Sequence, residues 1–322
     1  MTSNRTNSQV AIFARNAHTA WKTLLQELLD NGQESKPRDQ RTKELLGLQL
    51  RFTEGRQNLI ADMDRGLNYR FLVAQWLATV AGVEEKNLER YNKQLSKFED
   101  DGRGGKYPSY GPRLLPQWPY VLKQLMDDRD TRQAVASIWE AQTMTGERWV
   151  PCTLSLQFML RPRFQLLPQY DKKDERLFLH VIATMRSSDA FLGLPYDIFN
   201  FTQLANVIAS ALTLTLRQRI DVGEFVLNLG SSHLYERDWE KAKQVADRTD
   251  AGVHFIESPR LPPDLNHHLA GLQQLITQQP QPLESKDWSW WPWPWRQYVE
   301  AMEAQTSAEA LKILRELERR NE

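Results

Sequence analysis

The sequence predicts a single α+β domain. Apolar residues recur at helical spacing in some segments and alternate, or run unbroken, in others. The two kinds of segment interleave from one end to the other, and no internal repeat divides them. Taken in order, residues 10–29 carry Ile12, Phe13, Ala17, Trp21, Leu24, Leu25, Leu28 and Leu29 at helical spacing, and Asn31-Gly32 stops that helix. Residues 33–42 are polar and hold Lys36, Pro37, Arg38 and Arg41, which predicts a basic loop. Residues 45–52 alternate weakly, as a strand does. Helices are expected over 69–81, ending at Gly82, and over 88–98. Gly and Pro make 100–112 a loop, and 116–126 reads as helical. Strands are expected at 134–139, 152–160 and 177–185. Residues 196–216, apolar on most sides, predict a buried helix, and 224–235 another strand. A last helix opens with Ser307 as its N-cap and Glu309 nearby.

Composition narrows the function. The 322 residues carry 41 Lys+Arg against 41 Asp+Glu. That balance argues against a nucleic-acid partner and against a polybasic membrane anchor, though a local basic pocket remains compatible. The single cysteine, Cys152, excludes an internal disulfide and a Cys-rich metal site. Six scattered histidines include the pair His267-His268, which lacks a metal-binding context, so no metal is expected. The polar start is no secretory signal, and no stretch is read as a membrane span, so a cytoplasmic protein is expected. With no glycine-rich phosphate loop, any nucleotide phosphate must be held by side chains.

Two places carry candidate chemistry. Cys152 follows Pro151 where a strand begins, as an inert buried thiol or a nucleophile. Residues 186–198 read Arg-Ser-Ser-Asp-Ala-Phe-Leu-Gly-Leu-Pro-Tyr-Asp-Ile. Here an arginine, two hydroxyls and a carboxylate close a strand before a Gly-Leu-Pro turn opens a helix. Arg186 offers a guanidinium fork suited to phosphate.

This second segment closely resembles the RSxDxxLGxPxNI signature of thymidylate synthases. Pro151-Cys152 resembles the family's nucleophile motif, and Gly230 to Tyr235 its HxY sugar-binding strand. Tyr110-Gly111 and the turn Asp127 to Arg132 also have counterparts. The resemblance is clear over about residues 64–238 and very weak after about 263, leaving 264–322 as a divergent C-terminal arm of one 1–322 domain. It implies a thymidylate-synthase-like fold, a large twisted mixed sheet flanked by helices and dimerising sheet to sheet. It further implies that Cys152 attacks C6 of a pyrimidine nucleotide, and that C5 takes a one-carbon unit from the cosubstrate 5,10-methylenetetrahydrofolate. Tyr110 would help a water remove the C5 proton. Arg186 and Ser187 would hold the 5′-phosphate, with Arg38 or Arg41, and with Arg132 reaching across a homodimer. His233 and Tyr235 would bind the sugar, while Asp189, Leu192 and Gly193 would face the pterin.

Departures from the family pattern sharpen the expectation. Asp197 stands where thymidylate synthases have asparagine; an ionised carboxylate only accepts hydrogen bonds, which suits a cytosine amino group better than uracil O4. Asp here resembles the cytidylate branch, dCMP or CMP 5-hydroxymethylases. The charged helix at the end lacks the family's closing peptide, and residues 91–98 lack its folate-side tryptophans. Both features suggest that water completes a hydroxymethyl group. Gln75 occupies the place of a catalytic glutamate and cannot shuttle a proton. It leaves a silent nucleotide-binding dimer as one alternative, beside two of the same family, a dCMP methylase and a thymidylate synthase. The run 288–295, alternating Trp and Pro, reads as core packing of the arm or as a lid, with Arg296 placed to stack on an indole.

Overall fold

The computed structural model describes residues 11–62, 65–98, 109–140, 150–162, 176–249, 256–261, 265–277 and 293–319. Eight strands form one mixed sheet: β1 Ala11–Ala14, β2 Gln33–Ser35, β3 Thr42–Phe52, β4 Val135–Ser137, β5 Thr153–Pro162, β6 Leu177–Met185, β7 Ser188–Asp189 and β8 Ile220–Tyr235. The order across it is β1-β3-β8-β6-β5-β4, with β2 added to β3 and β7 to β8. β8 is the axis, antiparallel to β3 and parallel to β6 and β7. The helices are α1 Ala17–Asn31, α2 Tyr69–Ala81, α3 Gly111–Leu114, α4 Trp118–Asp127, α5 Leu194–Leu216, α6 Trp239–Asp247, α7 Leu265–Thr277, α8 Trp295–Glu303 and α9 Ser307–Arg319. The α+β class and the mixed sheet are as the sequence predicts.

The core is one continuous apolar body between the sheet and its helices. Leu48, Leu50 and Phe52 of β3 and Phe225, Leu227 and Leu229 of β8 point into it. α5 packs against α2, β6 and β8. By length and composition α5 could cross a membrane, contrary to the expectation that no stretch would; most of it is instead buried in this core. At α2 the sequence reading matches the observed bounds: Asn68 caps the start by accepting from Phe71 N–H at 3.1 Å, and Gly82 ends it at φ +69°.

Other elements differ. The first helix begins only at Ala17, capped by Asn16; residues 11–14 instead pair in parallel with β3. Helical spacing there was produced by a strand whose Ile12 is buried and whose Phe13 is exposed. The 88–98 helix is replaced by two 3₁₀ turns, Glu85–Leu88 and Lys93–Phe98. The basic loop is a short hairpin, β2 to β3, with a turn at Pro37–Asp39. Ser307 does not cap the last helix: Thr306 accepts from Glu309 N–H at 3.1 Å. The Ser307 hydroxyl instead donates to Leu67 O at 2.7 Å and accepts from Tyr69 N–H at 3.0 Å, tying the arm to the start of α2. The tryptophan segment divides. Residues 288–292 and the side chains of His267 and His268 lie outside the described part. Trp295 is fully buried, with its ring stacked on Trp76 at 5.6 Å, and Tyr298 meets Trp76 edge-on at 4.7 Å. Arg296 donates to Glu300 at 2.7 Å, and among the described residues it stacks on no indole. For Trp293 and Trp295 the packing role holds.

Candidate active site

β8 positions one wall. Its alternation carries His233 and Tyr235 to the same face, where their rings meet edge-on at 5.2 Å. β7 runs beside it and sets Asp189 opposite His233. Gly230 is required here, because a Cβ would lie 2.8 Å from Arg186 O; the close approach lets Ser231 N–H donate to that carbonyl at 3.1 Å. Arg186 N–H in turn donates to Cys152 O at 2.8 Å, and its guanidinium donates to Pro151 O and Val150 O at 3.0 and 2.9 Å. The signature arginine thus clamps the loop that presents the thiol. Ser187 Oγ lies 3.5 Å from His233 Nδ1.

A chain of contacts runs from the thiol strand to Gln75 of α2. Cys152 precedes Thr153, whose hydroxyl donates to Tyr110 OH at 3.0 Å. Tyr110 follows Ser109, whose Oγ accepts from Glu85 N–H at 2.8 Å. Gln75 Nε2 donates to Glu85 Oε1 at 3.4 Å. Asp197, in the first turn of α5, raises the acidity threshold of both Cys152 and Tyr110 by its charge, and is itself raised by Glu85. Cys152, Tyr110, Gln75, Glu85 and Asp197 therefore form one cluster.

Burial dominates its electrostatics. It pushes the Cys152 thiol up, opposed by the positive charges of Arg186 and Arg38. It pushes Asp197 to about 8 and Glu85 to about 7. It lowers His233, so that imidazole is neutral at pH 7, and it raises Tyr110 well above the ordinary phenol range. Near neutral pH Asp197 is thus an acid that can donate a proton, unlike the acceptor-only carboxylate expected from the sequence.

The two arginines left open by the sequence separate. Arg38 reaches both Cys152 and Tyr235 with its charge, from a turn where it and Asp39 take left-handed conformations, φ 51° and 61°. Such backbone costs on the order of 1–3 kcal/mol per residue and clusters at ligand clamps. Arg41 is tied to Glu34 at 3.0 Å and to Glu236, so it is not brought to the thiol. Arg132 is exposed on the turn before β4, its carbonyl accepting from Gln157 at 2.9 Å. Asp189 spends Oδ1 on the N–H groups of Phe191 and Leu192, at 3.0 and 2.9 Å, shaping the turn that leaves Leu192 36% exposed beside Gly193.

Sequence reasoning missed Glu85, Thr153, Ser109 and Arg65. Arg65 donates to Phe191 O at 2.7 Å and lies 4.6 Å over the Phe191 ring, bracing that same turn. Glu85 gives no local signal: it sits in Glu84-Glu85-Lys86, which reads as a solvated charge run. Among the described residues no group of three His, Cys, Asp or Glu side chains is arranged to hold a metal. The family model described as Thymidylate synthase matches residues 19–261.

Proposed function

The chain belongs to the thymidylate synthase family, folate-dependent one-carbon transferases acting on a pyrimidine nucleotide, and we propose that it 5-hydroxymethylates a cytidine monophosphate, dCMP or CMP. The observation that carries this reading is the Asp197 carboxyl, buried, close enough for its charge to act on Cys152, and held at about 8. Cytosine N3 is a basic ring nitrogen, whereas uracil O4 is a weakly basic carbonyl. An acid at this edge can hand its proton to N3 as the sulfur adds to C6. It then accepts, as a carboxylate, from both N3–H and the 4-amino group. Uracil takes no such proton.

The remaining residues act in concert. Cys152 is the nucleophile, the effect of burial on its thiol opposed by the positive charges of Arg186 and Arg38. Those arginines and Ser187 hold the 5′-phosphate, and Arg132 completes that site from the partner of a homodimer. His233 and Tyr235 bind the sugar. Tyr110, a protonated phenol, hands protons to and from water at C5. The turn at Asp189, Leu192 and Gly193 fits a flat heterocycle, since an exposed apolar ledge lies beside a carboxylate oxygen. 5,10-Methylenetetrahydrofolate bound there supplies carbon at the oxidation level of formaldehyde. Adding that carbon and one water to C5 is redox-neutral, so no hydride donor is needed.

The test is incubation with dCMP, CMP or dUMP and methylenetetrahydrofolate, followed by mass analysis of the base. A gain of about 30 mass units on a cytosine nucleotide is expected, one about 14 units would mean methylation, and turnover of dUMP alone would refute the base assignment.

A further inference from the structure

The cluster contains a carboxyl with no assigned task. Glu85 is 8% exposed, and its backbone N–H is committed to Ser109. Its carboxyl is tethered by Gln75 Nε2, while the other amide atom, Gln75 Oε1, is buried without a partner. A polar side chain with one half bonded and the other bare marks a place where a hydrogen-bonding group belongs. Among the described residues, the titratable groups facing Glu85 are Tyr110, from the segment entering α3, and Asp197, from α5, while α2 contributes the neutral Gln75. No purely structural reason favours a buried glutamate against an amide there, since a glutamine would make the same contact without a charge to bury.

We propose that Glu85 accepts the proton of the water that completes the hydroxymethyl group, with Gln75 Oε1 orienting that water. The step rests on the proposed function above. The water oxygen bonds to the one-carbon unit already on C5, and the water proton passes to Glu85. The displaced electron pair runs back through the ring and expels the Cys152 sulfur from C6 as thiolate. Gln75 cannot take the proton itself, but Glu85, at about 7, is ionised in a useful fraction near neutral pH.

The experiment compares the wild type with Glu85→Gln, and with the double variant Gln75→Glu/Glu85→Gln, which moves the carboxyl to the other side of the pair. Glu85→Gln is expected to bind dCMP within about threefold of wild type and to form hydroxymethyl product at least about 100-fold more slowly. The pH profile of kcat/KM should lose its break near 7. Cys152 adds a rise that continues above pH 7 in every form, so the break is the diagnostic feature. The double variant should recover at least about tenfold over Glu85→Gln. Turnover by Glu85→Gln within about threefold, with the break intact, would overturn the assignment. So would a slow single variant that the double does not rescue, since that marks a structural role. A methyl product from the wild type would overturn this step together with the hydroxymethyl reading, because no water then reacts. A hydroxymethyl product from dUMP would overturn the base assignment and leave Glu85 standing.

Discussion

Neutralising Glu85 should make the folded protein more stable, and by a predictable amount. An ordinary carboxyl of this type titrates at 4.5, and burial lifts Glu85 to about 7. Between those values the unfolded chain has released its proton while the native state keeps one. The unfolded state therefore binds fewer protons, and stability falls as pH rises. The loss is under about 1 kcal/mol at pH 5 and reaches about 3 kcal/mol at pH 8, where both states are ionised. Glu85→Gln removes that term and keeps the shape. Urea unfolding at pH 5 and pH 8 reads it directly: the variant should be near wild type at the lower pH and about 2–3 kcal/mol more stable at the higher, with an unchanged m-value. A variant less stable than wild type at pH 8 would refute the reasoning, because it would mean that the ionised carboxylate has a favourable partner in the folded state.

Three further outcomes follow from the site. Asp197→Asn should cut kcat/KM for dCMP at pH 7 by about 100-fold or more, the usual worth of a general acid, while dUMP turnover does not fall; unchanged preference for dCMP in steady-state assays would exclude proton donation to N3. Arg38→Ala should raise the nucleotide KM by about 10–100-fold through loss of a charged contact to phosphate, whereas Arg41→Ala, an exposed ion-pair residue, should change it less than about threefold. Trp295→Ala should destabilise by about 3–5 kcal/mol in denaturant melts, since the ring is fully buried against Trp76.

What was legible in the sequence depended on how local its cause was. α2 was legible because Gly82 is a local stop signal and its residues are continuously apolar enough to read as helix, and Asn68 caps its start. β6 was legible because seven of its nine residues are apolar, interrupted only by His180 and Thr184. Residues 11–14 were misread because a short strand and a helix start share the same apolar spacing, and only pairing with β3 distinguishes them. α7 and α8 went unread because their apolar faces answer to α2, a partner about 200 residues away in the chain. Within the site, residues that fall in short motifs could be named, among them Cys152, Arg186, Asp197 and His233. Glu85 could not, since its importance comes from Gln75 ten residues earlier and Ser109 twenty-four residues later.

The same burial accounts for the proposed chemistry and for its cost. Burial holds Cys152, Glu85 and Asp197 toward their protonated forms, so the resting site stores protons. In the proposed reaction, pyrimidine activation needs one delivered to N3 and hydroxymethyl formation needs one removed from water, which calls for two carboxyls of different strength side by side. Asp197 at about 8 and Glu85 at about 7 have that order, the stronger base lying at the ring. Neither would hold its value if water entered from behind α2. That side is closed by Trp76, one residue from Gln75, stacked on Trp295 and edged by Tyr298, whose hydroxyl accepts from Gln203 of α5 at 2.8 Å. In the proposed mechanism, the described part of the C-terminal arm would thus act on the reaction by keeping water from the two carboxyls. Loosening it by Trp295→Ala should lower the Glu85 break in the pH profile as well as the melting point, and a melting change with the break unmoved would separate the two roles.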